Sequence, residues 1–189
     1  MRHLKPLLLQ LALSLILAAC PSPPQVDESH RETGLVIHVF DGDTLLVRIN
    51  NSEEKVRLLG IDTPETDGPY TKAEPLGEKA SRLTKKLVFN KSVTLVYGGT
   101  SRRDKHGRLL AHVIMPDGRV LNEILLKEGM AEFFRKFRYT RKERYKKLEA
   151  EARRSCKGIW RLRLPCSTKK SYRPQKLHKL VRLRDRRPA

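Results

Sequence analysis

From Leu35 to Met115 the chain is a series of short apolar, β-branched runs, each closed by turn-forming residues. Leu35–Phe40 stops at Asp41-Gly42-Asp43, and Leu45–Ile49 stops at Asn50-Asn51-Ser52-Glu53-Glu54. Lys55–Ile61, Ser92–Tyr97 and Leu109–Met115 follow, the last closed by Pro116-Asp117-Gly118. Runs of this length and composition read as strands, and the first three in sequence read as an antiparallel meander. Between the third and fourth, Glu78–Val88 places Ala80, Leu83, Leu87 and Val88 at helical spacing. A second helix is predicted over Asn122–Lys127 with Gly129 at its C-cap. A third is predicted over Arg141–Arg154, with Tyr145, Leu148 and Ala152 on one face. By itself the pattern specifies an α+β fold with a small antiparallel sheet. Five strands with a helix after the third, then two more helices, suit an OB-fold five-stranded β-barrel with about three helices.

Three short segments carry chemistry. Asp41-Gly42-Asp43-Thr44 lies in the first turn, and Arg57-Leu58-Leu59-Gly60-Ile61-Asp62-Thr63-Pro64-Glu65-Thr66 spans the end of the third run. Arg103-Asp104-Lys105-His106-Gly107-Arg108 leads into the fifth. A phosphodiester resists hydrolysis because its charge repels nucleophiles and its leaving alkoxide is poor. Cleavage therefore needs charge neutralisation and an activated nucleophile. Asp43 and Asp62 supply carboxylate oxygens that suit a hard cation, Ca²⁺ or Mg²⁺. Either Asp alone would more often be a turn residue bonding its own backbone. Arg57 and Arg108 supply guanidinium forks that match phosphate oxygens.

Taken together and in this order, the three segments resemble the staphylococcal-type thermonuclease family over about Gly34 to Trp160. The resemblance implies the OB-fold and hydrolysis of DNA, RNA or both with low sequence specificity. It selects Ca²⁺ as cofactor, with Asp43, Asp62 and the Thr63 carbonyl as ligands and Asp41 supporting them without being a ligand. Glu65 becomes the general base or positioner for the attacking water, and Arg57 and Arg108 clamp the phosphate and stabilise transition-state charge. Lys105 and His106 become substrate contacts. The family often has tyrosine before Gly-Arg in this loop. His106 at that place bears on base preference rather than on catalysis.

The chain's ends read differently from its middle. Arg2 and Lys5 precede a nearly unbroken apolar run, Leu7–Ala19, which is too short to cross a bilayer and suits a signal-peptide core. It ends in Leu17-Ala18-Ala19-Cys20, which resembles a bacterial lipobox and implies residues 1–19 as a lipoprotein signal peptide with Cys20 lipidated. Pro21 at the next position points to the outer membrane rather than the inner. Residues 20–33 read as a flexible tether, 34–166 as the catalytic domain and 167–189 as a basic, disordered tail. That tail holds nine Lys and Arg against Asp185. The whole chain carries a formal charge of +19, which points to a polyanionic partner, nucleic acid foremost, with anionic lipid the other partner for the tail. Export into an oxidising compartment favours a Cys156–Cys166 disulfide over two free thiols. A monomer is expected. The competing reading is a non-catalytic OB-fold lipoprotein that binds nucleic acid, which would tolerate loss of the Asp/Arg/Glu set.

Overall fold

The computed structural model describes residues 30–68, 72–163 and 165–166. The signal segment, Cys20, most of the tether and the basic tail lie outside the described residues.

Strands β1 (Arg31–Val39), β2 (Thr44–Ile49) and β3 (Ser52–Leu58) form the antiparallel meander. Strand β5 (Ser92–Val96) pairs antiparallel with both β1 and β6 (Leu109–Ile114), and β6 pairs parallel with β3. The order β1-β2-β3-β6-β5 closes a barrel, as an OB-fold requires. Alternation builds its interior: Leu45, Val47 and Ile49 of β2 face Val56 and Leu58 of β3, Val93 and Leu95 of β5, and Leu109, Ala111 and Val113 of β6. These side chains are all buried, while the intervening positions face outwards.

Helix α1 (Gly77–Val88) follows the meander, and α2 (Leu121–Lys127), α3 (Lys142–Arg154) and α4 (Ile159–Arg163) complete the described helices. Asn122 pins α2 to the barrel by accepting from the Val113 N–H (3.0 Å) and donating to the Leu59 carbonyl (3.0 Å). The helix ends in a Schellman arrangement: Gly129 N donates to Leu126 O and Met130 N to Leu125 O. Gly129 has φ +65°, and a Cβ there would lie 2.3 Å from the Lys157 carbonyl oxygen, so only glycine fits. On α3, Tyr145, Leu148 and Ala152 are buried as their spacing predicts. Cys156 and Cys166 are bonded, with Cα atoms 5.9 Å apart.

Several boundaries depart from the sequence reading. β1 starts at Arg31, inside the stretch read as tether, because Arg31–Thr33 pair with Val96–Thr94 and Tyr97 Oη donates to Glu32 (2.6 Å). The third run breaks after Leu58, since Gly60 adopts φ +80° and turns the chain. Asp62 therefore lies not at the end of β3 but on a separate short strand, β4 (Ile61–Asp62), paired with β7 (Glu132–Phe133). The buried Glu149 carboxylate of α3 fixes that pair by accepting from Phe133 N (3.1 Å) and Arg135 (2.9 Å). Helix α4 was not foreseen; its five residues are too few to show a period.

Candidate active site

The turn between β1 and β2 is built around Asp41. Its Oδ1 accepts from the N–H groups of Asp43 (2.9 Å) and Thr44 (2.7 Å), and Phe40 N donates to Thr44 O (3.0 Å). Asp41 thus shapes the turn that carries Asp43. Gly42 lets two other segments approach: a Cβ there would meet Thr63 Oγ1 at 2.7 Å and Ala80 Cβ at 2.9 Å. From α1, Thr84 Oγ1 donates to the Gly42 carbonyl (2.7 Å).

This packing seals Asp43, whose exposure is 0%. Oδ2 accepts from Thr63 N (2.8 Å), and Oδ1 accepts from Thr44 Oγ1 (3.2 Å) and the Arg57 guanidinium. The β2–β3 register sets Thr44 opposite Arg57, so the strand pairing itself delivers the arginine. The other arm of the Arg57 fork donates to Asp62 on β4. Burial pushes the Asp43 carboxyl up to about 7, with Asp41 adding to the rise, against the pull of Arg57 and Thr63. For Arg57, burial acts to lower its pKa, but Asp43 and Asp62 outweigh it and hold the charge.

Glu65 follows on the same segment and is half-buried. Its backbone is locked to Glu74: Glu74 N donates to Glu65 O (2.9 Å), and Glu65 N donates to Glu74 Oε2 (3.3 Å). Gly77 at the start of α1 abuts it closely; a Cβ there would lie 2.0 Å from the Glu65 carbonyl oxygen. The Glu65 carboxyl is raised by burial, then by the charges of Asp41, Asp62 and Glu74, against Arg57. A carboxylate raised in this way is a better proton acceptor.

Arg108 stands apart. Its Nε and Nη2 donate to Asp104 Oδ2 (both 2.7 Å) and its backbone N to Asp104 Oδ1 (3.0 Å). The parallel register pairs Leu109 with Val56, so Arg108 enters β6 at the barrel edge from which Arg57 projects. Lys105 and His106 are exposed at the tip of this turn, where His106 N donates to Asp104 Oδ1 (2.9 Å).

Asp41, Asp43, Arg57, Asp62 and Thr63 are therefore joined by direct contacts. Glu65 lies within their field. Arg108, Lys105 and His106 belong to the Asp104 turn that leads into β6, and among the described residues no hydrogen bond or ion pair joins them to that cluster. Sequence reasoning missed Thr44, Glu74, Thr84 and Asp104. Only Asp104 carried a visible signal, four residues before Arg108 with Gly107 between them.

Among the described residues no three His, Cys, Asp or Glu side chains converge on a metal site. A cation here would be held by two carboxylates and a backbone carbonyl. The chemistry of the donors fits one. A fully buried carboxylate destabilised by desolvation gains from a second cationic partner, and the all-oxygen set suits a hard ion.

Residues 55–162 match the model of the family described as Staphylococcal nuclease homologue. A thermonuclease of Staphylococcus hyicus is 36% identical over 137 residues, 71% of this chain and 79% of that protein. A thermonuclease of Staphylococcus intermedius is 41% identical over 133 residues, 68% and 76% of the two chains. The SPbeta prophage-derived endonuclease YokF of Bacillus subtilis (strain 168) is 43% identical over 122 residues, 64% of this chain but 41% of that longer protein. With the barrel, the Asp–Arg–Asp cluster and matches over most of the domain all in agreement, the chain belongs to the staphylococcal nuclease family.

Proposed function

We propose that this chain is a calcium-dependent nuclease of low sequence specificity, acting on DNA, RNA or both, and tethered to the cell envelope through lipidated Cys20. Hydrolysis of phosphodiester bonds accompanies its family membership, and family members need a metal ion. The all-oxygen donor set suits a hard cation, Ca²⁺ or Mg²⁺, and the family resemblance selects calcium. Asp43, Asp62 and the Thr63 carbonyl would hold the ion, which when bound neutralises phosphate charge and makes water a stronger acid.

The protein's own groups do the rest. Glu65 accepts the proton of the attacking water as its oxygen bonds to phosphorus. Arg57 and Arg108 take the non-bridging oxygens as charge builds on them, and the P–O ester bond breaks, the leaving alkoxide oxygen taking a proton from solvent water. Arg57 is preorganised for this by the carboxylates on either side. The observation that carries the reading is the Arg57 fork clamped between buried Asp43 and exposed Asp62, beside a half-buried Glu65 of raised pKa. In the test, the chain from Val26 onwards is incubated with plasmid and with RNA, in Ca²⁺, in Mg²⁺ and in chelator. Cleavage in Ca²⁺ is expected. Full activity in chelator contradicts the reading, and binding without cleavage favours the non-catalytic alternative.

The anchor rests on the apolar run ending at Cys20. Among the described residues no helix is long and apolar enough to cross a membrane. A Cys20→Ser precursor should lose acyl labelling and detergent partitioning. Unchanged membrane retention would contradict lipidation. The outer membrane, a monomeric state and a role for the basic tail on nucleic acid or anionic lipid complete the proposal.

A further inference from the structure

Phe40 immediately precedes the Asp41 turn, yet 42% of it is exposed. Single exposed apolar residues are ordinary, but this ring sits in a built cluster. The His38 ring packs edge-on to it with centroids 4.7 Å apart, and Lys55 Nζ lies 5.0 Å above its centroid. Strand register explains the grouping. His38 and Lys55 both lie opposite Leu46, on the outward row that crosses β1, β2 and β3. Lys55 shares the outward face of β3 with Arg57, two residues and about 6.6 Å along the strand. Parallel pairing brings the residue before Leu109, Arg108, to the same row. The neighbouring acids are already neutralised, Glu53 by Arg48 (3.0 Å) and Glu54 by Arg103 (2.9 Å). Among the described residues Lys55 has no carboxylate partner. An aromatic face beside an uncompensated ammonium, continuous with a phosphate-directed arginine, has the chemistry of a nucleotide platform.

We infer that Phe40, Lys55 and His38 form a subsite for one unpaired nucleotide of the substrate strand, beside the scissile phosphate held at Arg57. Phe40 stacks on the base, Lys55 takes that nucleotide's phosphate, and His38 braces the Phe40 ring. Stacking reads no base edge, so the subsite favours single-stranded or frayed nucleic acid without imposing sequence. The inference rests on the nuclease reading and adds the strand state of the substrate to it.

The test is binding of end-labelled oligothymidylate, and of an abasic strand of equal length, to the full chain in detergent with chelator, followed by fluorescence anisotropy against salt. Phe40→Ala should weaken oligothymidylate binding about tenfold, within the range for one lost base stack, and leave the abasic strand unaffected. Phe40→Trp should restore it. Lys55→Ala should weaken both strands and reduce the logarithmic salt slope by about 0.7. If both alanine variants bind both strands as the parent does, or if Phe40→Ala weakens both strands equally, the subsite is excluded while the nuclease reading stands. A parent that binds neither strand excludes the subsite, and cleavage assayed in Ca²⁺ decides the nuclease reading separately.

Discussion

Arg57 and Arg108 are both proposed to clamp phosphate, but they are held in opposite ways. Arg57 projects from β3 and is fixed from two segments: Asp43 and its neighbour Thr44 where β2 begins, and Asp62 on β4. Its side chain is 16% exposed. Arg108 is held by one residue four positions away, within a turn that folds largely on itself. The first arrangement is part of the core and the second is an accessory of a loop. The same guanidinium chemistry is thus built once by the fold and once by local sequence, and mutations should separate the two.

The largest effect should be on turnover, where the two arginines act alike. Arg57→Lys and Arg108→Lys should each cut the cleavage rate about 10²–10³-fold, since lysine keeps the charge but loses the fork. Near-normal turnover in either would remove that residue from the site. Stability should then distinguish them. Arg57→Ala leaves Asp43 buried and uncompensated and should cost about 3 kcal/mol in urea unfolding. Arg108→Ala should cost about 1 kcal/mol or less, because its pair is partly solvated. Equal losses would mean that the loop is as much a part of the core as the barrel wall is.

Acid should loosen the scaffold before the loop. His112 on β6 is fully buried, with Nδ1 2.7 Å from Tyr145 Oη and Nε2 3.2 Å from Thr140 Oγ1. Burial, with Arg141 nearby, pushes its pKa down to about 3. The unfolded chain therefore binds a proton that the folded one refuses, and His112's stabilising contribution is lost as pH falls from about 6.5 towards 3. The stability difference between the parent and His112→Asn should shrink over that window, by at most about 1.4 kcal/mol per pH unit. Asp43, raised by burial, acts in the opposite direction, but it is common to both proteins and cancels. Asp104 is partly buried, which alone would raise its pKa, yet Arg108 and nearby N–H groups hold its carboxyl below the ordinary value, so the loop pair should outlast the scaffold. A difference that does not change with pH would contradict a neutral, buried His112.

The smallest effect belongs to Asp104→Asn. Asparagine keeps an acceptor for the backbone N–H groups but removes the charge that engages Arg108. KM for short substrates should change by a few-fold, with unfolding within about 1 kcal/mol of the parent. A loss of stability comparable to Arg57→Ala would show that the turn is not a separate unit.

The barrel was legible because its short apolar, β-branched runs are each closed by turn residues, and the Asp41–Thr44 turn because Asp, Gly and Thr favour one. Asp43 and Asp62 could be placed near each other from strand order alone. Their shared grip on Arg57 could not, since it depends on the break at Gly60 and on β7 capturing β4. Two-residue strands and a five-residue helix fall below any period. Thr84 on α1 and Glu74 in the loop before it reach the site through tertiary packing, which leaves no local signature. Phe40 looked like the last apolar residue of a strand. Only the Val36/His38 register shift and the Lys55 contact show that it lies on the outer face.

The site stands or falls on whether Asp43 and Asp62 hold a cation that cleavage requires. Calorimetric titration of Ca²⁺ into the parent, Asp43→Asn and Asp62→Asn, paired with cleavage assays at the same calcium concentrations, reads this directly. One calcium ion per parent chain is expected, with affinity at least about tenfold weaker in both variants and cleavage falling in parallel. Parent-like calcium binding by Asp43→Asn and Asp62→Asn, or cleavage that persists in chelator, would contradict it.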